Sequence, residues 1–122
     1  MKYLLLIHLD EDRMNALSPA EMNELNRRHI RLNEELRASG HLIEAEALSP
    51  AADAATLQPR SGKLTVVDGP YAETKELVAG FYLIEAADRA EAFAIAARLP
   101  SAPLGRIEIR PTRRLIVDGQ EC

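Results

Sequence analysis

Aliphatic side chains crowd the segment from Tyr3 to Leu9, "YLLLIHL", which by length and content reads as a strand. A polar connection, "DEDRMNAL", comes next. Ser18, Pro19 and Glu21 then form a complete helix start: a hydroxyl to accept from orphan backbone N–H groups, a proline at the first helical position, and a carboxylate that reaches back. Beyond it, Met22, Leu25, His29, Leu32 and Leu36 recur at spacings of three and four, one stripe at helical period. Ser39–Gly40 ends the helix. "HLIEAEAL", His41 to Leu48, reads as a second strand, and "TLQPRSGKLTVVDGPY" as a small hairpin turning near Ser61–Gly62. Pro59 confines its outgoing arm to an edge or an irregular strand. Leu77 to Ile84 is nearly continuously apolar and gives the next strand. Asp88 and Glu91 start a short alanine-rich helix that stops at Pro100. In "GRIEIRP", Ile107 and Ile109 face one way and Arg106, Glu108 and Arg110 the other. "RRLIV" adds a tail strand.

The order β-α-β, hairpin, β-α-β predicts an α+β fold. It is a ferredoxin-like antiparallel sheet with two helices on one face and an inserted β-hairpin at about residues 55–70. Two helices cover one face of a sheet. Yet Tyr3, Leu5, Ile7 and Leu9 point one way while Leu4 and Leu6 point the other, and "VAGFYLI" is apolar on both sides. A second copy packed sheet to sheet covers the other face, so the expectation is a homodimer with a shared barrel-like core.

Length and charge narrow the classes. The 122 residues fit a single domain, 1–122, with 113–122 as a C-terminal tail. A formal net charge of −4 supplies no basic field for a phosphate backbone, so no nucleic-acid partner is expected. Cys122 is the only cysteine and the last residue, which leaves no intramolecular disulfide. The apolar run of "MKYLLLIHLDEDR" is short, contains His8 and lacks a small-residue cleavage site, so it reads as a strand and not as a signal peptide. No run reaches the eighteen or so apolar residues of a span. A cytoplasmic protein with no membrane partner is expected.

Candidate chemistry is sparse. His29 lies in a stripe of leucines, and two roles are open to it: a packed, hydrogen-bonded imidazole, or a general base. His8 shares a strand face with Leu4 and Leu6 and is a candidate ligand contact if that face borders a cavity. His41 opens a strand beside a helix end. No HExxH, CxxC or histidine–carboxylate cluster has metal-ligand spacing, so neither a metal nor a cofactor is expected. "RSGK" is a turn and not a phosphate loop, and Ser61 lacks the context of a nucleophile elbow. Asp10, Glu11 and Asp12 read as an exposed acidic loop. In "VVDGPYAETKEL", residues 66–77, Asp68–Gly69 favours a tight turn and Pro70 fixes its exit. The segment is either a structural corner or a pocket wall to which Asp68, Tyr71, Glu73 and Lys75 contribute.

"DGPYAETKELVAGFYLIE", Asp68 to Glu85, resembles the signature of the YCII-related proteins, in particular the subgroup named for its DGPF motif, with Tyr71 in place of phenylalanine. The likeness extends to "MKYLLLIH", "LSPAEM", "LNEELRASGHL" and "GRIEIRP". It implies a ferredoxin-like domain that dimerises as an α/β barrel, with a cleft that binds a small molecule. The broader family resembles muconolactone isomerases in fold and includes a member implicated in dehydrochlorination of a chlorinated hydroxyquinol. It also carries a proposed histidine–aspartate pair. His29 in "RRHIRL" matches the histidine; Leu99 in "ARLPSA" stands where the aspartate would be. If His29 is a catalytic base here, another carboxylate must partner it, Asp68 first and Glu73 next. Two readings stay open: a cofactor-independent isomerase or lyase acting by proton transfer on a cyclic or aromatic small molecule with His29 as base, or a non-catalytic dimer that binds a small ligand or a partner protein. Members of the DGPF subgroup are often encoded near extracytoplasmic sigma factors, which adds a regulatory setting to the second choice.

Overall fold

The computed structural model describes residues 1–70 and 76–121. Its longest helix, α2 (Pro19–Ala38), begins as the sequence dictates. Ser18 Oγ accepts from the Glu21 N–H at 3.1 Å, and the Glu21 carboxylate accepts from the Ser18 N–H at 2.9 Å. Leu25, Leu32 and Leu36 are the buried rungs of its stripe. Gly40 leaves the last turn at φ 81°, a conformation that a side chain would strain. The helix α3 (Arg89–Ala96) is capped by Asp88, whose carboxylate accepts from the Glu91 N–H at 2.8 Å. The polar connection after the first strand differs from the sequence reading. It holds a five-residue helix, α1 (Glu11–Asn15), and Asp10 is the buried cap of that helix and not part of an exposed loop. Its carboxylate accepts from the Asp12 N–H at 2.9 Å.

Four strands make the main sheet: β1 (Lys2–Asp10), β2 (Leu42–Ala47), β5 (Glu76–Glu85) and β6 (Gly105–Pro111). They lie side by side as β2-β5-β1-β6 with every pair antiparallel, which is the ferredoxin-like order. Tyr3, Leu5, Ile7 and Leu9 of β1 and Tyr82 and Ile84 of β5 point toward the helices. They meet Leu32 and Leu36 of α2 and Ala92 and Ile95 of α3 in one core. Leu5, Leu36 and Ile84 are fully buried, each contributing about 1.5–3 kcal/mol of apolar transfer.

The dimeric α/β barrel expected from the sequence is not the architecture observed. The main sheet is open, with β2 and β6 as free edges, and four strands do not curl far enough to close. The inserted hairpin does not bridge those edges either. Its strands β3 (Ala55–Arg60) and β4 (Lys63–Asp68) pair only with each other, around a Ser61–Gly62 turn with both residues at positive φ. A second separate ribbon, β7 (Ile116–Val117) with β8 (Gln120–Glu121), ends the described chain. Among the described residues no helix is long and apolar enough to cross a membrane.

Two irregularities shape the outer face of the sheet. Opposite β1 the register jumps between Ile7↔Gly80 and His8↔Val78, leaving Ala79 as an extra residue in β5. This bulge breaks the alternation that carries Tyr82 and Gly80 inward, and it turns Val78 toward the side of His8. On the other flank Gly105 lies so close to β1 that a Cβ there would collide with the His8 carbonyl. Gly105→Ala is expected to destabilise the fold by about 3 kcal/mol or more, because the obstacle is backbone and cannot rotate away. Urea unfolding of the variant against the parent measures this, and an unchanged midpoint would contradict the close packing of β6 on β1.

Candidate functional site

The outer face of the sheet, away from the helices, borders an open cleft of about 1310 Å³. One wall is the sheet itself. His8 stands on β1 between its partners Val78 of β5 and Arg106 of β6. Its Nε2 lies 2.9 Å from Glu108 Oε1, and Arg106 Nε forms an ion pair with Glu76 Oε1 at 3.2 Å. The β1–β5 bulge gives this wall its mixed character: His8 and Glu76 supply polarity, and Val78, turned outward by the bulge, supplies apolar surface.

The opposite wall is the connection from β2 to β3, with Leu48, Pro50 and Asp53, and the hairpin base at Ala54 and Pro70. This wall is fixed by hydrogen bonds. Leu48 N–H donates to the carbonyl of the bulged Ala79 at 2.8 Å, and Ala51 N–H to Glu11 Oε1 at 2.9 Å. At the hairpin base Gly69 N–H donates to Ala54 O at 2.7 Å, and Thr56 Oγ1 donates to the Gly69 carbonyl at 3.0 Å. Gly69 reaches this position at φ 105°. The Asp-Gly corner is thus the clasp of the hairpin.

The inner face holds a separate polar cluster. His29 projects from α2 onto β5, with Nδ1 2.9 Å from Tyr82 Oη and Nε2 3.0 Å from Ser101 Oγ. Tyr82 is 4% exposed and Ser101 2%. A hydroxyl donates and accepts equally well, so the two together satisfy either neutral tautomer. Burial, reinforced by the neighbouring Arg28 charge, holds the imidazole below its ordinary value of 6.5. Burial alone pushes the Tyr82 phenol up to about 12. His29 is therefore a neutral ring at neutral pH, and its described partners are hydroxyls.

The sequence candidates thus separate. His8 lies on the outer cleft. His29 lies under the helix, and its described hydrogen bonds do not include Asp68. Asp68 is exposed at the end of β4, opposite Ala55. Tyr71, Glu73 and Lys75 lie outside the described residues. Leu99, the position matched to an aspartate, is a core residue at 2% exposure, and the histidine's contact comes from Ser101, two residues on. Sequence reasoning missed Tyr82 and Ser101 as partners of His29, and Glu76, Arg106 and Glu108 as cleft residues. For Tyr82 the signal was its parity with Ile84. Among the described residues no group of three His, Cys, Asp or Glu side chains could hold a metal ion.

The model of the YCII-related domain matches residues 1–116. The chain belongs to the YCII-related family. An uncharacterized protein of Rhizobium meliloti (strain 1021), R00369, is 37% identical over 113 residues, covering 91% of each chain. The match runs through the strands of the cleft and through the His29 helix of this YCII-related protein, so both polar clusters lie inside the family domain.

Because His29 is held below its ordinary value when folded, the unfolded chain binds a proton there more readily. The stability gained from the neutral ring is full above 6.5 and is lost as pH falls from 6.5 through the lowered folded value. Nuclear magnetic resonance titration of the ring should give a midpoint below 6.5, and His29→Gln should flatten the fall in stability in that window. A midpoint above 6.5 would contradict the buried placement of the ring.

Proposed function

We propose that this YCII-related protein binds a small molecule in the outer cleft, with His8, Arg106 and Glu108 as its polar contacts. The observation that carries this reading is the cleft itself. It combines apolar surface at Leu48, Pro50 and Val78 with polar groups already oriented by His8–Glu108 and Arg106–Glu76 pairing. Oriented polar groups on a fixed wall recognise a ligand without first having to be ordered. Asp68, at the end of the hairpin, and Tyr71, Glu73 and Lys75 belong to the same proposal as further ligand contacts. The sequence "DGPY" supports placing the chain in the DGPF subgroup.

A second reading has one observation in its favour. His29 is a neutral base at neutral pH, the form that proton abstraction needs. On that reading the enzyme is a cofactor-independent isomerase or lyase acting on a cyclic or aromatic compound, and Tyr82 and Ser101 orient the base. The cleft reading is preferred because both ring nitrogens already have hydroxyl partners, whereas the outer cleft is open.

The family domain also leaves apolar residues without cover. Ile43 and Val78 on the main sheet are exposed, as are Leu57, Leu64 and Val66 on the hairpin. We infer that a second copy covers part of this surface, giving a homodimer. Sedimentation equilibrium should return twice 13.5 kDa, and a monomer at micromolar concentration would refute the dimer.

Ligand-observed resonance with a panel of cyclic and aromatic small molecules tests the two sites against each other. Compounds that bind the parent are expected to lose affinity about tenfold or more in His8→Ala and Arg106→Ala, and to bind His29→Ala unchanged. Loss in His29→Ala alone would transfer the function to the inner cluster.

A further inference from the structure

A second concavity lies on the helix side, between α2 and the turn after α3. It is a shallow groove of about 280 Å³ lined by Arg28, Arg31, Leu32, Glu35, Arg98 and Pro100. Three guanidiniums there face one carboxylate, on a chain whose net charge is −4. Glu35 is committed to Arg98, with Oε2 2.7 Å from Nη2. Arg28 and Arg31 have no ion-pair or hydrogen-bond partner among the described residues. The neighbouring Arg27 instead takes Glu24, at 3.5 Å. Arg28 and Arg31 are three residues apart on one helix face, where like charges cost the helix stability unless an anion lies between them.

We propose that this groove binds an oxyanion group, carboxylate or phosphoryl, carried on a small molecule. Arg28 and Arg31 supply the donors, and Arg98 is a third donor that Glu35 restrains. A guanidinium presents a planar fork that fits such oxygens two at a time, and its charge makes those hydrogen bonds stronger than neutral ones. Leu32 and Pro100 give the groove an apolar floor for the rest of the ligand. This site lies on the helix side and is independent of the outer cleft.

The groove adjoins the His29 cluster at two points. Arg28 precedes His29, and Pro100 precedes Ser101. Three groups act on the imidazole: Tyr82 from the sheet, Ser101 from the turn after α3, and Arg28 from its own helix. An anion on Arg28 offsets the only one of these that repels a proton by charge. Occupation of the groove should therefore raise the His29 titration midpoint, and protonation of His29 should strengthen anion binding by the same factor.

Titration with inorganic phosphate, pyrophosphate and acetate, followed by backbone amide shifts and by the His29 ring signals, tests the site. Saturable shifts confined to α2 and residues 98–101, with a rise in the His29 midpoint, are expected. Arg28→Ala and Arg31→Ala should each weaken binding about tenfold, and Glu35→Gln should tighten it by freeing Arg98. Arg28 and Arg31 are exposed helix residues, so both variants should keep the parent's circular dichroism spectrum. Arg28→Lys, which keeps the charge and loses the fork, serves if they do not. Stronger binding of phosphate than of acetate assigns a phosphoryl ligand, and the reverse a carboxylate. The proposal is overturned if no anion gives saturable shifts, or if Arg113→Ala in the tail weakens binding as much as Arg28→Ala.

Discussion

Everything in this domain depends on the fact that β1 is hydrogen-bonded along both edges. A strand paired with β5 on one side and β6 on the other has no freedom to slip, because one residue of slip would turn Tyr3, Leu5, Ile7 and Leu9 out of the core together. Its register then decides what its neighbours present. Tyr82 and Ile84 come inward because they oppose Leu5 and Tyr3; Glu108 faces outward because it opposes Leu6. The close approach of Gly105 to His8 belongs to the same constraint, since it lets β6 begin pairing beside the cleft.

The bulge at Ala79 is the place where β5 breaks this parity. Without it, β5 would continue inward at Gly80 and then at residue 78, and a valine would be added to the core opposite Leu9. With the extra residue, Val78 joins the outer face and Glu76 comes within reach of Arg106. The bulged carbonyl also receives Leu48 N–H, so the same residue that re-aims the sheet anchors the facing wall.

Much of the fold was legible because its signals are local. The capping box of α2, the glycine after its last turn, the Asp88 start of α3 and the alternation of "GRIEIRP" each need only a few residues to be read. The barrel was not legible. Apolar residues on both strand faces say that a surface needs cover, but they carry no information on whether the sheet closes. The helix at Glu11–Asn15 escaped for a different reason: its cap, Asp10, ends a strand, and an acidic run beside a strand looks like a loop. The partners of His29 were hidden by distance along the chain, since Tyr82 and Ser101 are 53 and 72 residues away.

The sheet also bears on the expected pairing of His29 with Asp68, the carboxylate chosen because Leu99 stands at the position matched to an aspartate. His29 reaches the inner face through the helix stripe, whereas Asp68 closes a hairpin whose base, at Ala54 and Pro70, lines the outer face. The backbone layer of β5 and β1 separates those surfaces. With Leu99 in the core, the groups left to face the imidazole are hydroxyls, which stabilise a neutral ring and add no charge to it. A carboxylate would favour the protonated ring; burial, with the Arg28 charge beside it, favours the free base. The protonation of His29 depends on what occupies the arginine groove beside it.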